Sequence, residues 1–117
     1  MRFAILINEP PEGFAARRDP ALREDYMAGT YGFLQHLKDA GVFVGGAGLE
    51  PPGQTLRLHF EHGQAVVQDG PFADTKEQLG GFFLIEVADI DAAKIWASRF
   101  PQRPGIVIEV RPAIMGD

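Results

Sequence analysis

Gly80-Gly81-Phe82-Phe83-Leu84-Ile85-Glu86-Val87-Ala88-Asp89-Ile90 carries the two signals that decide the fold. Phe82 to Val87 is rich in aromatic and branched apolar residues and is long enough for one strand. Asp89 follows as the N-cap of a helix, on which Ile90, Ala93, Trp96, Ala97 and Phe100 recur at helical spacing. Pro101 stops that helix, and Ile106 to Arg111 reads as the next strand, closed by Pro112. The unit is strand, helix, strand.

The same order opens the chain. Phe3-Ala4-Ile5-Leu6-Ile7 is a continuous apolar run and reads as a buried strand. Asn8 to Asp19, with Pro10-Pro11-Glu12-Gly13 inside it, reads as a loop. Asp19-Pro20 then supplies an N-cap and a proline at the first helical position. Leu22, Tyr26, Phe33, Leu37 and Ala40 fall on one face of that helix, and Gly41 ends it. Val42-Phe43-Val44 begins a second strand, in which Gly45, Gly46 and Gly48 permit a bulge.

Between the two units Pro51-Pro52-Gly53 turns the chain, and Gln54 to Glu61 alternates in polarity. Leu56, Leu58 and Phe60 are expected toward the helices, with Arg57, His59 and Glu61 on the other side. His62-Gly63-Gln64 is a hairpin turn into Ala65-Val66-Val67-Gln68. The expected fold is therefore α+β: a ferredoxin-like antiparallel sheet with two helices on one face and an inserted β-hairpin, residues 1–117 forming one domain. Two helices cover only one sheet face, so the other is left partly apolar. A back-to-back homodimer, with a small-molecule ligand in the intersubunit cleft, is the expected remedy.

Composition narrows the function. There is no cysteine among the 117 residues, which removes disulfides, thiolate catalysis and cysteine-bound zinc. Net charge is -5 and Arg17-Arg18 is the one adjacent basic pair, so a nucleic-acid partner is not expected. No run approaches a membrane span and Phe3–Ile7 is too short for a signal-peptide core, so the expected location is cytoplasmic, away from the membrane. The glycines of Gly45-Gly46-Ala47-Gly48 lack the Lys-Ser/Thr and helix onset of a phosphate loop, and no cofactor motif stands elsewhere.

Several stretches together carry a resemblance. Asp69-Gly70-Pro71-Phe72, then Asp74-Thr75-Lys76-Glu77, Gly80-Gly81-Phe82 and Ile108-Glu109-Val110-Arg111-Pro112 are similar to the YCII-related family, specifically its DGPF branch. Tyr31-Gly32-Phe33-Leu34, Leu37 to Gly41 and Gly46-Ala47-Gly48-Leu49 fit the same pattern, so the resemblance spans the chain. It implies a dimeric α+β barrel with a cleft between subunits, but no single activity. Some relatives act on halogenated aromatic breakdown products or lactones, and DGPF members are often encoded beside sigma factors. YciI-type relatives carry a His-Asp pair proposed as catalytic. The Asp corresponds to Asp69; the His would fall seven residues before Leu37, where this sequence has Thr30. His36 lies at the edge of the helix's apolar face and does not replace it.

Asp69 is the leading candidate for catalysis, as a general acid or base, on a small organic acid or lactone. Its other reading is a staple whose oxygens hold the Gly70-Pro71 turn. His59 and Arg57 share one strand face, either lining the intersubunit space as proton donor and anion ligand or lying on a wet edge. Glu109 and Arg111, two apart on the last strand, form either a ligand-binding charge pair or an intersubunit salt bridge. Tyr31 either donates a hydrogen bond into the cleft or packs. His59 and His62 face opposite ways on a strand, so no metal site is expected. A cofactor-independent isomerase, lyase or hydrolase, a ligand sensor, and a regulatory or structural dimer linked to sigma-factor control are the three functional expectations.

Overall fold

The computed structural model describes residues 1–69 and 77–114, with the backbone alone at Asp69. Strand β1 (Arg2–Glu9) is followed by helices α1 (Pro11–Arg18) and α2 (Arg23–Asp39), strand β2 (Phe43–Gly48) and a single 3-10 turn at Pro52–Gln54. Strands β3 (Leu56–Glu61), β4 (Gln64–Asp69) and β5 (Gln78–Glu86) precede helix α3 (Ile90–Ala97) and strand β6 (Val107–Pro112). The main sheet has the order β2-β5-β1-β6, with every neighbouring pair antiparallel. This is the ferredoxin-like arrangement, and β3-β4 is the inserted hairpin, a separate two-stranded sheet.

Alternation along β1 explains the core. Phe3, Ile5, Ile7 and Glu9 are buried under the helices, while Arg2, Ala4, Leu6 and Asn8 face the open side. Ile85 and Phe83 stand opposite Phe3 and Ile5 in register, and continue the buried layer onto β5. Phe33 of α2 meets Phe83 edge-on at 5.1 Å and Phe100 at 5.2 Å, so one aromatic cluster ties α2, the sheet and the residues after α3 together. Leu37 is fully buried beside it.

Three features depart from the sequence reading. The Pro10-Pro11-Glu12-Gly13 stretch opens helix α1 instead of forming a loop. Proline at the first helical position costs no hydrogen bond, Glu12 and Arg17-Arg18 suit the two ends of the helix dipole, and Phe14 is buried. Asp19 does not cap α2: its Oδ1 accepts from the Ala21 N–H, closing a turn, and the helix starts at Arg23. The apolar side of β3 does not meet the helices. Leu56, Leu58 and Phe60 are all exposed, Phe60 at 75%, because the hairpin pairs only with itself. Alternation says that a strand's two faces differ, but not what each face meets.

Other local expectations hold. Asp89 caps α3 by accepting from the Ala92 N–H at 2.9 Å. Bonds from Gly41 to Lys38 and from Val42 to Leu37 end α2 in a Schellman motif. The register between β2 and β5 shifts between Phe43 and Gly45, which is the bulge the glycines were expected to permit. Among the described residues no helix is long and apolar enough to cross a membrane.

Candidate functional site

Glu9 is the last residue of β1 and occupies an inward position, so the alternation that buries Ile5 and Ile7 also buries its carboxylate, to 3% exposure. An ionised group can stay there only if its oxygens are paired. Glu9 Oε1 accepts from the Tyr26 hydroxyl at 2.8 Å and from Arg103 Nη1 at 2.9 Å, and Oε2 faces Arg17 Nη1 at 3.4 Å. Arg103 Nη2 donates to the Tyr26 carbonyl at 2.8 Å and to Thr30 Oγ1 at 2.7 Å, and its guanidinium lies 4.0 Å from the centre of the Tyr26 ring. Arg17 also donates to the carbonyls of Leu49 and Gly80. No buried side-chain polar atom is left without a partner among the described residues.

Two glycines make room for this cluster. A Cβ on Gly13 would stand 2.5 Å from the Tyr26 hydroxyl oxygen, and one on Gly80 would crowd Arg17 and Glu9 at 3.2 Å. The cluster therefore needs backbone at close range on both sides, from α1 and from β5.

Beside it, between α2 and the sheet, lies a chamber of about 340 Å³. Ile7, Leu34, Phe43, Phe83 and Phe100 give it apolar walls. Glu9, Arg17, Thr30 and Tyr31 bring polar groups to it. Two guanidinium groups meet one carboxylate in the cluster, so its formal balance is positive. Glu9 has both oxygens engaged and fixes Arg17 at the chamber wall. An apolar chamber with a few convergent polar groups is the usual form of a small-molecule site.

Of the residues singled out from the sequence, Tyr31 lines this chamber, and so does Thr30, where the resemblance to YciI-type proteins implies a histidine. The others lie elsewhere. His59 is exposed on the hairpin and contacts Glu61 at 3.1 Å, with Arg57 on the same strand face. Glu109 and Arg111 sit on the open face of the main sheet, opposite Leu6 and Ala4, and Glu109 accepts from Asn8 at 2.9 Å. Asp69 pairs with Leu56 at the end of the hairpin; its side chain and the Gly70-Pro71-Phe72 loop lie outside the described residues. Among the described residues no three His, Asp or Glu side chains gather as a metal site would require. Glu9, Arg17, Tyr26 and Arg103 were not singled out. The signal was the alternation of β1 itself, which continues past Ile7 to put a carboxylate inside.

Comparison with known families matches residues 1–114 to the YCII-related domain. The chain belongs to the YCII-related family. It is also similar to an uncharacterised protein of Rhizobium meliloti (strain 1021), 46% identical over 55 residues. That match covers 47% of this chain and 44% of the relative, so it spans less than half of the relative's length.

Removing the charge of Glu9 leaves two partly buried guanidinium groups uncompensated. Glu9→Gln is expected to lose about 3–5 kcal/mol in urea unfolding. Arg18→Gln, which breaks the exposed Arg18–Glu50 pair, should lose under about 0.5 kcal/mol. Equal losses would mean that Glu9 does not hold the cluster.

Tyr26 gives a second check. Burial first, then its hydrogen bond to Glu9 and the charge of that carboxylate, push its phenol up to about 12, against a weaker pull downward from Arg103. The folded state thus holds this proton more tightly than the unfolded chain. The stability it contributes is complete below the ordinary tyrosine value of 10.0 and is lost as pH rises from there toward about 12. Absorbance titration at the tyrosinate band should show a step near that upper pH which Tyr26→Phe removes. A titration unchanged by that substitution would place the late step elsewhere.

Proposed function

We propose that this YCII-related protein is a small-molecule-binding protein whose site is the chamber at Glu9, and that it works as a homodimer. The observation that carries the binding reading is the chamber's composition: apolar walls from α2 and the sheet, converging on an arginine held in place by a buried carboxylate. The ligand class this suits is a small organic acid, lactone or phenol, with its ring against Phe43, Phe83 and Phe100 and its oxygens toward Arg17, Thr30 and Tyr31. Glu9 has no idle oxygen and Tyr26 keeps its proton, so these groups support binding and orientation before turnover. An acid–base role for Asp69 would add a reaction to the same family architecture, as a cofactor-independent isomerase, lyase or hydrolase.

The binding reading is tested by thermal unfolding against a panel of small organic acids, lactones and phenols. Wild type should be stabilised by at least one class, by the mass-action increment of a ligand bound only to the folded state. Leu34→Trp, which fills the chamber from α2, should fold and lose that shift. A panel that leaves wild type unmoved, or a shift that survives in Leu34→Trp, would refute the chamber as the site.

Two apolar surfaces support the dimer. On the open face of the main sheet Ala4, Leu6, Phe82 and Leu84 form an apolar centre between Arg2 and Glu86 on one side and Glu109 and Arg111 on the other. On the hairpin Leu56, Leu58, Phe60 and Val67 share one face and are 57–75% exposed. A two-stranded hairpin is marginal alone in water, and an apolar stripe of this kind calls for a cover. A second copy, mating sheet to sheet with charged rims of both signs, supplies one. Sedimentation velocity should give a dimer for wild type and a monomer for Leu84→Glu. A wild-type monomer would overturn the proposal.

A further inference from the structure

Arg17-Arg18, the one adjacent basic pair in the sequence, ends helix α1, and Arg23 begins α2 a short turn later. The fold brings all three arginines to one groove of about 370 Å³, which is completed by Met27, Glu50 and Pro51. Three arginines line it with one lining carboxylate, Glu50, and Glu9 pairs with Arg17 from the chamber side, so the balance is still positive in a chain whose formal net charge is -5. So local an excess of one sign, against the sign of the whole molecule, concentrates anions at that spot. The lining carboxylate is weakly held. Arg18 and Glu50 meet at 3.3 Å with both side chains more than half exposed, a pair worth little in water and easily exchanged for a stronger anion. Arg23 makes no ion pair among the described residues.

The groove is not separate from the chamber. Arg17 and Met27 line both, so the two spaces share a wall, and the Arg17 guanidinium is fixed in that wall by Glu9, Gly80 and Leu49. Apolar chamber and cationic groove therefore meet at one anchored arginine. We propose that they form a single site for an amphipathic phosphate ester: an apolar, ring-sized body in the chamber and a dianionic phosphoryl group held between Arg17, Arg18 and Arg23. A phosphoryl group fits better than a carboxylate because it carries close to two charges and three oxygens, enough to engage several planar guanidinium forks together. Acidic side chains also stand near this end of the molecule. Glu24 follows Arg23 on α2 but lies with it in a different surface depression, outside the groove.

This inference rests on the chamber being a binding site, and its test separates the two. Phenyl phosphate, phenol and inorganic phosphate are titrated by calorimetry into the full chain, wild type, Arg18→Gln/Arg23→Gln and Leu34→Trp, at low ionic strength. Phenyl phosphate should bind wild type at least about tenfold tighter than phenol and tighter than inorganic phosphate. The double arginine variant should lose about tenfold or more for phenyl phosphate while its affinity for phenol stays unchanged. Raising salt from about 20 to about 300 mM should weaken phenyl phosphate and leave phenol alone. Leu34→Trp should lose both ring compounds. If phenol binds wild type and phenyl phosphate binds no tighter, or the arginine variant binds both as wild type does, the phosphoryl groove is overturned and the chamber stands. If phenyl phosphate binds equally well to Leu34→Trp, the two spaces are not one site. If neither ring compound binds wild type, the chamber reading falls and this inference falls with it.

Discussion

A carboxylate at the inward position of a central strand is a demanding thing for a small protein to carry. Glu9 lies under the helices at 3% exposure, where an unpaired charge would cost several kcal/mol. Its partners come from every part of the fold: Arg17 from α1, Tyr26 from α2 and Arg103 from the connection between α3 and β6. Arg17 is eight residues from Glu9, but Tyr26 is 17 and Arg103 is 94 residues away. Each must arrive in its native place before the charge is satisfied, so the cluster rewards one arrangement of the helices and penalises the others. The apolar core, by contrast, tolerates exchanges of similar volume. Here the aromatic triad of Phe33, Phe83 and Phe100 supplies burial, and Glu9 supplies the selection among packings.

That selection has a cost in shape. Paired guanidinium groups and a phenol need room, and Gly13 and Gly80 provide it by omitting a side chain on either side. Arg103, seated on the Tyr26 ring and bonded to Thr30, ties α2 to the cluster. The chamber lies beside this tie. Its position therefore follows from the same interaction that orders the fold, and its polar end is the face of that cluster turned inward. The cluster that orders the fold also lines the chamber, so a substitution at Glu9 would change stability and chamber together, whereas Leu34 and Arg23 lie outside the cluster.

The sequence carried the architecture well and the Glu9 cluster poorly, for a physical reason that individual residues make plain. The strand at Phe82–Val87, the Asp89 cap and the Gly41 stop are local signals, each read within a few residues, and the structure has them all. The Pro10-Pro11 pair misled because proline serves turns and helix starts alike, and only the burial of Phe14 decides between them. The cluster joins Glu9, Arg17, Tyr26 and Arg103, up to 94 residues apart, and no spacing rule connects them. What could be read was half of it: a carboxylate at the inward parity of β1 must have a cation, although which of the arginines serves is a tertiary fact. His59 and Arg57 illustrate the reverse case: alternation puts them on one face of β3, but which surface that face meets is a tertiary and quaternary fact.

The charges of the chain make the same point at larger scale. A net charge of -5 argues against anionic partners if charge is counted by composition. The fold redistributes it. Glu9 is spent on Arg17 and Arg103, Glu50 reaches only Arg18, and Glu61 turns to His59 on the hairpin. What is left at the junction of α1 and α2 is a cationic groove joined to an apolar chamber. A ligand approaching it meets the local field, screened within about 10 Å at ordinary salt, and not the molecular total. Net charge sets how the protein behaves toward a polyanion with many contacts. A ligand small enough to fit one groove is governed by the residues within reach of it, and there the balance is positive.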